Sequence, residues 1–130
     1  MTEHVAQFMS ASPHTIQPDR TLADARRWME THSIRHLPVM DRGVLVGVVS
    51  DRDIHLLSTV PGVNLDALTV RDAMTPDPYV VEPSASIVDV ALEMSRQRFG
   101  SAIVVDKGHV VGVFTTVDAL RVLALVLARK

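Results

Sequence analysis

The chain has 130 residues, of which 47% are apolar and 22% charged, a composition typical of one globular domain or of two very small ones. Its formal net charge of −2 at pH 7 argues against a broad interface with the phosphate backbone of nucleic acid. The absence of cysteine excludes a disulfide framework and a thiolate metal site. We therefore expect a protein of a reducing compartment, the cytoplasm, without a nucleic-acid partner.

The amino-terminal stretch MTEHVAQFMSASPH has neither the basic n-region nor the apolar h-region of a signal peptide. No window of the sequence reaches the ~18 consecutive apolar residues that a membrane span needs. These two observations predict a soluble protein that is not exported and has no membrane partner.

The first predicted elements are a short extended segment and a helix. Thr15 and Ile16 form the extended segment, which Pro18 ends. Thr21 followed by Asp24 is an N-cap pattern, so we expect a helix to start at about residue 21. Apolar residues then recur at helical spacing, at Leu22, Ala25 and Met29.

Two strands and a second helix follow. The apolar runs 36–40 and 44–49 are joined by Asp41-Arg42-Gly43, which has the residue types of a hairpin turn. Because both runs are almost continuously apolar, we expect a sheet covered by helices. With the helix after residue 50, the predicted order is β-α-β-β-α.

The second half of the chain repeats the first at an offset of 65 residues. Residues 5–54 align without a gap on residues 70–119, and thirteen of the fifty positions are identical, many of them proline, glycine or turn aspartate. Such residues determine backbone geometry, so two copies of one fold are predicted. We expect an α/β (α+β) protein with a first repeat at 1–60, a linker with a Pro61-Gly62 turn at 61–69, and a second repeat at 70–130.

The repeated motifs resemble those of the cystathionine β-synthase (CBS) domain, which typically occurs as a tandem pair called a Bateman module. They are M-S-x-x-P-x-T-I-x-P at 9–18, R-H-L-P-V-M-D at 35–41 and G-V-V-S-D-R-D at 47–53, with counterparts M-T-x-x-P-Y-V-V-x-P, G-S-A-I-V-V-D and G-V-F-T-T-V-D. The resemblance covers nearly the whole chain. It implies two repeats packed with pseudo-twofold symmetry around two clefts that hold AMP, ADP, ATP, S-adenosylmethionine or a related adenosyl compound.

The resemblance also implies the ligand-binding residues, Ser50 with Asp53 and Thr115 with Asp118. The hydroxyl residue faces the phosphate or ribose, and the carboxylate accepts hydrogen bonds from the ribose diol. An ionised carboxylate is an acceptor-only group that suits two hydroxyl donors, and a helix amino terminus favours an anion. A capping box at each helix start explains the same residues without any ligand, and the two roles can coexist.

The two implied clefts differ in charge. Family members often place basic residues near the phosphates, which here are Arg35 and His36 with Arg52 as a third contact, while the counterparts of Arg35 and His36 are Gly100 and Ser101. We therefore expect unequal clefts, unless Arg35 is only a solvated strand end and His36 a half-buried histidine bonded to backbone. The adenine side is expected at two segments, which are His14, Thr15 and Ile16, and Tyr79, Val80 and Val81. Within the second segment, Tyr79 either stacks on the base or belongs to the core or rim.

Metal binding and catalysis find little support. The chain has six histidines, but only His32 and His36 stand four apart, and that pair straddles a predicted helix end. No Ser-His-Asp arrangement, paired carboxylates with motif context or phosphate-binding G-x-x-x-x-G-K-[ST] loop is present. We expect no metal, no cofactor and no enzymatic activity.

The last predicted helix is apolar on all sides, since between residues 119 and 127 only Arg121 is polar. CBS-like modules commonly pair through their helices, so we expect a homodimer that uses this helix and the first helix of each repeat, unless the helix packs wholly within one chain. The predicted function is a stand-alone regulatory module that signals to an unknown effector protein. The alternative is a structural or protein-interaction module with unoccupied clefts.

Overall fold

Four helices of the structure begin at hydroxyl residues whose side-chain oxygens accept backbone N–H groups that the first helical turn leaves unpaired. Thr21 Oγ1 accepts the Asp24 amide at 3.1 Å, and Ser86 Oγ accepts the Asp89 amide at 3.4 Å. The helices that follow span Leu22–His32 and Ile87–Gln97. The predicted helix starts are confirmed in both repeats.

The structure is a computed structural model that describes residues 3–129. Its contacts divide the chain into two units. The central unit runs from residue 14 to residue 78, and the terminal unit joins residues 3–13 to residues 79–129. None of the described helices is long and apolar enough to cross a membrane.

The chain begins in the terminal unit, with a 3₁₀ turn at Val5–Gln7 and the strand β1 (Ser10–Ala11). The central unit follows, with the helices and strands of the first repeat and the beginning of the second. Its sheet has the order β2-β3-β4, antiparallel throughout, and Ile16 lies parallel to Val39 beyond β2 as a single bridge. The elements of the central unit are β2 (His36–Asp41), β3 (Val44–Ser50), β4 (Thr75–Pro76), α1 (Leu22–His32), α2 (Asp51–Ser58) and α3 (Val70–Ala73).

The terminal unit has the same arrangement around a four-stranded sheet. After the central unit the chain forms β5 (Val80–Val81), α4 (Ile87–Gln97), β6 (Ser101–Asp106), β7 (His109–Thr115) and α5 (Thr116–Ala128). The strand order is β1-β7-β6-β5, with β5 parallel to β6. The predicted β-α-β-β-α order is confirmed in the second repeat, whereas in the first repeat the extended segment at Thr15 and Ile16 forms only the single Ile16–Val39 bridge before α1, β2, β3 and α2. The short strands β1 and β4 are additional.

The hairpins have tight two-residue turns. Gly43 and Gly108 both have φ near 81°, and the residues before them, Arg42 and Lys107, have φ near 51°. Two successive positive φ values are those of a type I′ turn, whose twist matches the twist of the flanking strands. The hairpins predicted at 41–43 and 106–108 are therefore confirmed.

The compact units differ from the sequence repeats at their ends. The start of each repeat packs with the strands of the other one: β1 pairs with β7, and β4 pairs with β3. The chain changes unit after Pro13 and after Pro78, which are equivalent positions of the repeat. Residues 61–69 belong to the central unit and are held to α1, because the Leu22 amide donates to the Leu68 carbonyl at 2.9 Å.

Each unit has its own apolar core. In the central unit the fully buried side chains include Leu22, Leu37 and Ile54, together with Val70 from the start of the second repeat. In the terminal unit Phe114 is fully buried among side chains of its sheet and of α4, and the core also includes Val5 from the start of the chain. Both cores thus depend on a segment from the opposite sequence repeat.

A methionine packs against a glycine of the middle strand in each unit. A Cβ atom added to Gly112 would lie 2.3 Å from Met9 Sδ, and one added to Gly47 would lie 2.8 Å from Met74 Sδ. At Gly47 the Thr75 carbonyl oxygen would also be only 2.7 Å away. The glycines therefore permit the close approach of β1 and β4 to their sheets.

The variants Gly47→Ala and Gly112→Ala should both unfold more easily, by about 1–3 kcal/mol, because the new methyl group overpacks the contact. Gly112→Ala should be largely rescued in the Met9→Ala background, since the clash is with a flexible side chain. Gly47→Ala should not be rescued by Met74→Ala, because the backbone oxygen of Thr75 remains in place. Urea unfolding of the single and double variants measures both couplings, and equal rescue at the two sites would contradict this account.

Candidate functional site

The end of β3 and the start of α2 form a capping box in the central unit. Ser50 Oγ accepts the Asp53 amide at 3.1 Å, and Asp53 Oδ2 accepts the Ser50 amide at 3.2 Å. The Asp53 side chain is half-buried. The capping alternative is thus present in the structure, and it holds the carboxylate at the strand-to-helix turn.

The basic residues predicted for the central unit lie beside this turn. His36 is the register partner of Ser50 in the β2–β3 pair, and the Arg35 carbonyl accepts the Asp51 amide at 2.9 Å. Arg35 and Arg52 are exposed, and His36 is half-buried. The structure therefore brings the predicted phosphate-side residues to one end of the central sheet, next to the Ser50–Asp53 box.

The terminal unit repeats the box at the end of β7. Asp118 Oδ2 accepts the Thr115 amide at 2.9 Å and the Thr115 hydroxyl at 3.1 Å, while Thr115 Oγ1 accepts the Asp118 amide at 3.3 Å. Arg121 Nη1 lies 3.1 Å from Asp118 Oδ1. Asp118 is buried, with 5% of its surface exposed. Its two carboxylate oxygens therefore both bond donors at the start of its own helix.

This ion pair is the main feature of the site that the sequence pattern did not predict. In the sequence Arg121 stands out only as the polar interruption of an apolar helix. Its position three residues after Asp118 is the signal that could have indicated the pair, because side chains at that spacing are neighbours on a helix. The corresponding residue in the central unit is Leu56, so Asp53 has no equivalent partner on α2.

The segments predicted for the adenine side lie along the outer edges of the central strands. In the central unit the Ile16 amide donates to the Pro38 carbonyl at 3.0 Å, and the Met40 amide donates to the Ile16 carbonyl at 2.9 Å. In the terminal unit the Ile103 amide donates to the Tyr79 carbonyl at 2.8 Å. Val80 pairs with Ile103, and Val81 pairs with Val104. These segments continue the sheets, with Thr15 and Val80 exposed and Ile16 and Val81 buried.

Two aromatic side chains of these segments have partners within their own unit. The His14 ring stacks on the His32 ring with centroids 3.8 Å apart, and Trp28 meets both rings edge-on. The Tyr79 ring packs on Phe99 with centroids 5.4 Å apart. Tyr79 thus has the rim packing that was the alternative to base stacking. The His14 cluster was not predicted, because its members are distant in the chain.

Metal ligands do not group in the part of the chain that is described. Within residues 3–129 no three side chains of His, Asp or Glu lie close enough together to hold a metal ion. His14 and His32 lie close to each other, but their rings are inclined by only 21°. In-plane lone pairs of such nearly parallel rings do not converge on one ion.

A comparison with protein families decides the family of this chain. The family model of the CBS domain matches residues 5–57 and 70–125. The chain belongs to the CBS domain family. The matched segments lie within the two sequence repeats, and solved CBS-domain structures share the fold with TM-scores above 0.8.

Similar CBS proteins cover nearly all of the chain. A CBS domain-containing protein of Dictyostelium discoideum is 35% identical over 134 residues, covering 95% of this chain and 92% of that protein. The solved structure of CBSX2 in complex with AMP, a protein of Arabidopsis thaliana, is 29% identical with a TM-score of 0.81, and the match covers 94% of this chain and 97% of that one. A CBS domain pair solved with 5′-methylthioadenosine and S-adenosyl-L-methionine is 26% identical with a TM-score of 0.86 over both full chains.

A match to an enzyme is confined to one part of that enzyme. Inosine-5′-monophosphate dehydrogenase of Korarchaeum cryptofilum is 32% identical over 105 residues, which are 80% of this chain but 21% of the enzyme. The remaining four-fifths of the enzyme has no counterpart in the match. This similarity therefore assigns no catalysis to the CBS chain.

The environment of the Tyr79 side chain shifts the pKa of its phenol, and this shift can be tested by titration. Burial raises the pKa of the Tyr79 phenol above its ordinary value, and the negative charges of Glu93 and Asp89 raise it further. Because the folded state favours the neutral phenol, this contribution to stability is complete below the pKa of the unfolded chain and is lost as the pH rises through the folded pKa.

The variant Glu93→Gln should lower the pKa of Tyr79 because it removes one of the two charges. Tyr79 is the only tyrosine, so the near-ultraviolet absorbance of tyrosinate reports this residue alone. The control Glu82→Gln removes an exposed carboxylate that is not among the causes of the shift. An equal change of midpoint in both variants would mean that net charge, and not the neighbouring carboxylate, determines the titration.

Proposed function

We propose that this CBS pair is a regulatory module that binds an adenosine-containing ligand, with the Ser50–Asp53 turn of the central unit as the stronger site and the Thr115–Asp118 turn of the terminal unit as the weaker one. The solved relatives with AMP and with 5′-methylthioadenosine and S-adenosyl-L-methionine support the ligand class. The observation that carries the proposal is the recurrence of a hydroxyl and a carboxylate at a strand-to-helix turn of both units.

The chemistry of these turns suits a ribose. Asp53 accepts the Ser50 amide through Oδ2, and Oδ1 retains its acceptor capacity for the hydroxyl donors of a vicinal diol. The amino terminus of α2 adds backbone donors and the positive end of a helix dipole, which favour a phosphate. Capping orients the carboxylate before a ligand arrives, so the two roles reinforce each other.

The proposed inequality of the sites follows from charge and from the bonds that each carboxylate makes within its own helix. The central turn has Arg35, His36 and Arg52 close by, whereas Gly100, Ser101 and Val117 hold the matching positions in the terminal unit. Asp118 accepts two bonds from Thr115 and is paired with Arg121, so a ligand must compete with those partners. A charged nucleotide therefore favours the central site.

The remaining parts of the proposal concern the oligomeric state, the cellular location, the partner and the activity of the protein. We extend it to a homodimer formed through helices, because apolar side chains of α5 are exposed in the single chain. A cytoplasmic location, an effector protein that receives the signal, and the lack of enzymatic activity also remain predictions. In such a module, ligand binding can shift the equilibrium only between conformational states that the ligand binds with different affinities.

Ligand-induced thermal shifts should distinguish a ligand-binding role of Asp53 and Asp118 from a role in helix capping alone. An adenosyl ligand at 100 times its Kd should stabilise the wild-type protein by about 2.7 kcal/mol. Asp53→Ala should abolish most of this increment, measured against the melting temperature of the variant without ligand, and Asp118→Ala should change it less. Asp72→Ala is the matched control, because Asp72 accepts the Thr69 amide at 2.8 Å in the capping box of α3, which is neither of the two proposed turns.

The panel of ligands should comprise AMP, ADP, ATP, S-adenosylmethionine and 5′-methylthioadenosine. A flat panel would favour the alternative of a structural module with unoccupied clefts. An increment that survives both Asp53→Ala and Asp118→Ala would show that the ligand binds elsewhere. Loss of the increment in Asp72→Ala would show that helix capping alone explains the effects.

Replacement of Arg35 should distinguish charged from uncharged ligands. Arg35→Gln should weaken AMP binding about threefold to tenfold, since a partly exposed ion pair with phosphate is lost. Binding of 5′-methylthioadenosine, which has no phosphate, should be unchanged. Isothermal titration calorimetry measures both affinities, with Arg71→Gln as the control because Arg71 is an exposed arginine whose partner is Asp41. Equal weakening of the two ligands would remove Arg35 from the phosphate side.

A further inference from the structure

The acidic residues of the two turns differ in how many of their acceptor sites are already used. An ionised carboxylate has about four acceptor sites on its two oxygens. At Asp118 the amide and the hydroxyl of Thr115 use two sites on Oδ2, and Arg121 Nη1 uses a third on Oδ1 at 3.1 Å. At Asp53 the Ser50 amide uses one site on Oδ2. A vicinal diol offers two hydroxyl donors, so Asp53 can accept both of them and Asp118 cannot.

Arg121 contributes the part of this difference that lies outside the capping box. The bonds from Thr115 belong to the box, which recurs in both units. Arg121 stands three residues after Asp118 on α5, and its side chain is 67% exposed, whereas the Asp118 side chain is 6% exposed. The arginine therefore covers Oδ1, the carboxylate oxygen that the box leaves without a donor.

The Arg121 guanidinium and a ribose diol compete for the same oxygen. Both present donors to a carboxylate, and the guanidinium adds the attraction of a positive charge. It also belongs to the same chain as Asp118, so its binding does not cost the translational and rotational freedom that a separate ligand loses. A diol must displace this internal donor before it can bind Asp118.

The equivalent position of the central unit has a side chain that cannot compete with a ligand. At an offset of 65 residues Arg121 corresponds to Leu56, which has no hydrogen-bond donor in its side chain. Leu56 is 56% exposed, and Arg121 is exposed as well. The position three residues after the acidic residue thus faces solvent in both units, and either side chain can occupy it without entering a core.

We infer that Arg121 occupies the ribose-binding oxygen of Asp118, so that the residue three positions after the acidic residue determines which turn of this chain accepts a ribose. The inference rests on the proposed function and adds a specificity-determining residue to it. Leu56 leaves the Ser50–Asp53 turn open to the diol, whereas Arg121 closes the Thr115–Asp118 turn from within the chain.

Removal of the arginine tests the inference in the Asp53→Ala background, where the remaining binding reports the terminal turn. The probe is 5′-methylthioadenosine, which has a ribose but no phosphate on which the charge of Arg121 could act. Arg121→Leu should raise the affinity for this probe about tenfold, because Oδ1 of the buried carboxylate then has no donor until the diol binds. Isothermal titration calorimetry measures both affinities, and an unchanged value would overturn the inference.

A second arginine of the terminal unit provides the matched control. Arg96 pairs with Glu93, three residues before it on α4, at 3.4 Å, and its side chain is also 67% exposed. Arg96→Leu in the Asp53→Ala background removes the same charge and the same kind of ion pair, and it should leave the affinity for 5′-methylthioadenosine unchanged. Equal increases in Arg96→Leu and Arg121→Leu would overturn the inference in favour of an effect of net charge.

The reverse substitution tests the central turn and does not depend on the folding of Arg121→Leu. In the Asp118→Ala background, Leu56→Arg should weaken the binding of 5′-methylthioadenosine about threefold to tenfold, because the new arginine stands three residues after Asp53. Leu56 is exposed, so the longer side chain displaces no core residue. An affinity equal to that of the Asp118→Ala protein would contradict the inference.

The wild-type titration separates this inference from the adenosyl proposal. A wild-type protein that binds 5′-methylthioadenosine, combined with no effect of either Arg121→Leu or Leu56→Arg, would refute the role of Arg121 and retain the ligand sites. If neither the wild-type protein nor Arg121→Leu binds any adenosyl ligand, the adenosyl proposal fails and the inference fails with it.

Discussion

The capping box at the end of the last strand of each repeat is the interaction on which the arrangement depends. A helix that starts directly after a strand presents unpaired amides next to the edge of the sheet, and these amides need acceptors. Ser50 with Asp53 and Thr115 with Asp118 provide them through reciprocal side-chain bonds. The same bonds bring a carboxylate to the turn, so a local requirement of helix initiation also produces the polar group that a ribose can use.

Much of the fold follows from local sequence patterns. Apolar runs between turn residues predict the ends of β2, β3, β6 and β7 to within one residue. The positions of the two hairpin turns also agree with the prediction, because Gly43 and Gly108 permit a tight turn at one position only. The two-residue strands β1 and β4 are too short to show any periodicity. Their pairing is also non-local: Met9 and Met74 stand in the same motif, and nothing near them in the chain indicates that they contact Gly112 and Gly47.

The local geometry of the candidate site residues was predictable to a similar degree. The spacing of the repeated hydroxyl and carboxylate residues identifies them, and their capping bonds are those that the spacing allows. The stack of His14 on His32 was not predictable, because it depends on how the segment before β2 lies against α1. The burial of Asp118 was not predictable either, since it results from the packing of α5 on the terminal core.

The differences between the two units concentrate on the helices that follow the capping boxes. On α5, Arg121 pairs with Asp118 within the helix, and the exposed large side chains besides Arg121 are leucine and valine. On α2, Leu56 replaces that arginine and Arg52 replaces Val117, which leaves the Asp53 carboxylate with more acceptor capacity and adds a positive charge at the turn. The first change adds an exposed apolar side chain to α2, and the second adds an exposed positive charge at its start. The two repeats thus keep one backbone pattern, while the helices that follow their capping boxes differ in the charge and polarity of their exposed side chains.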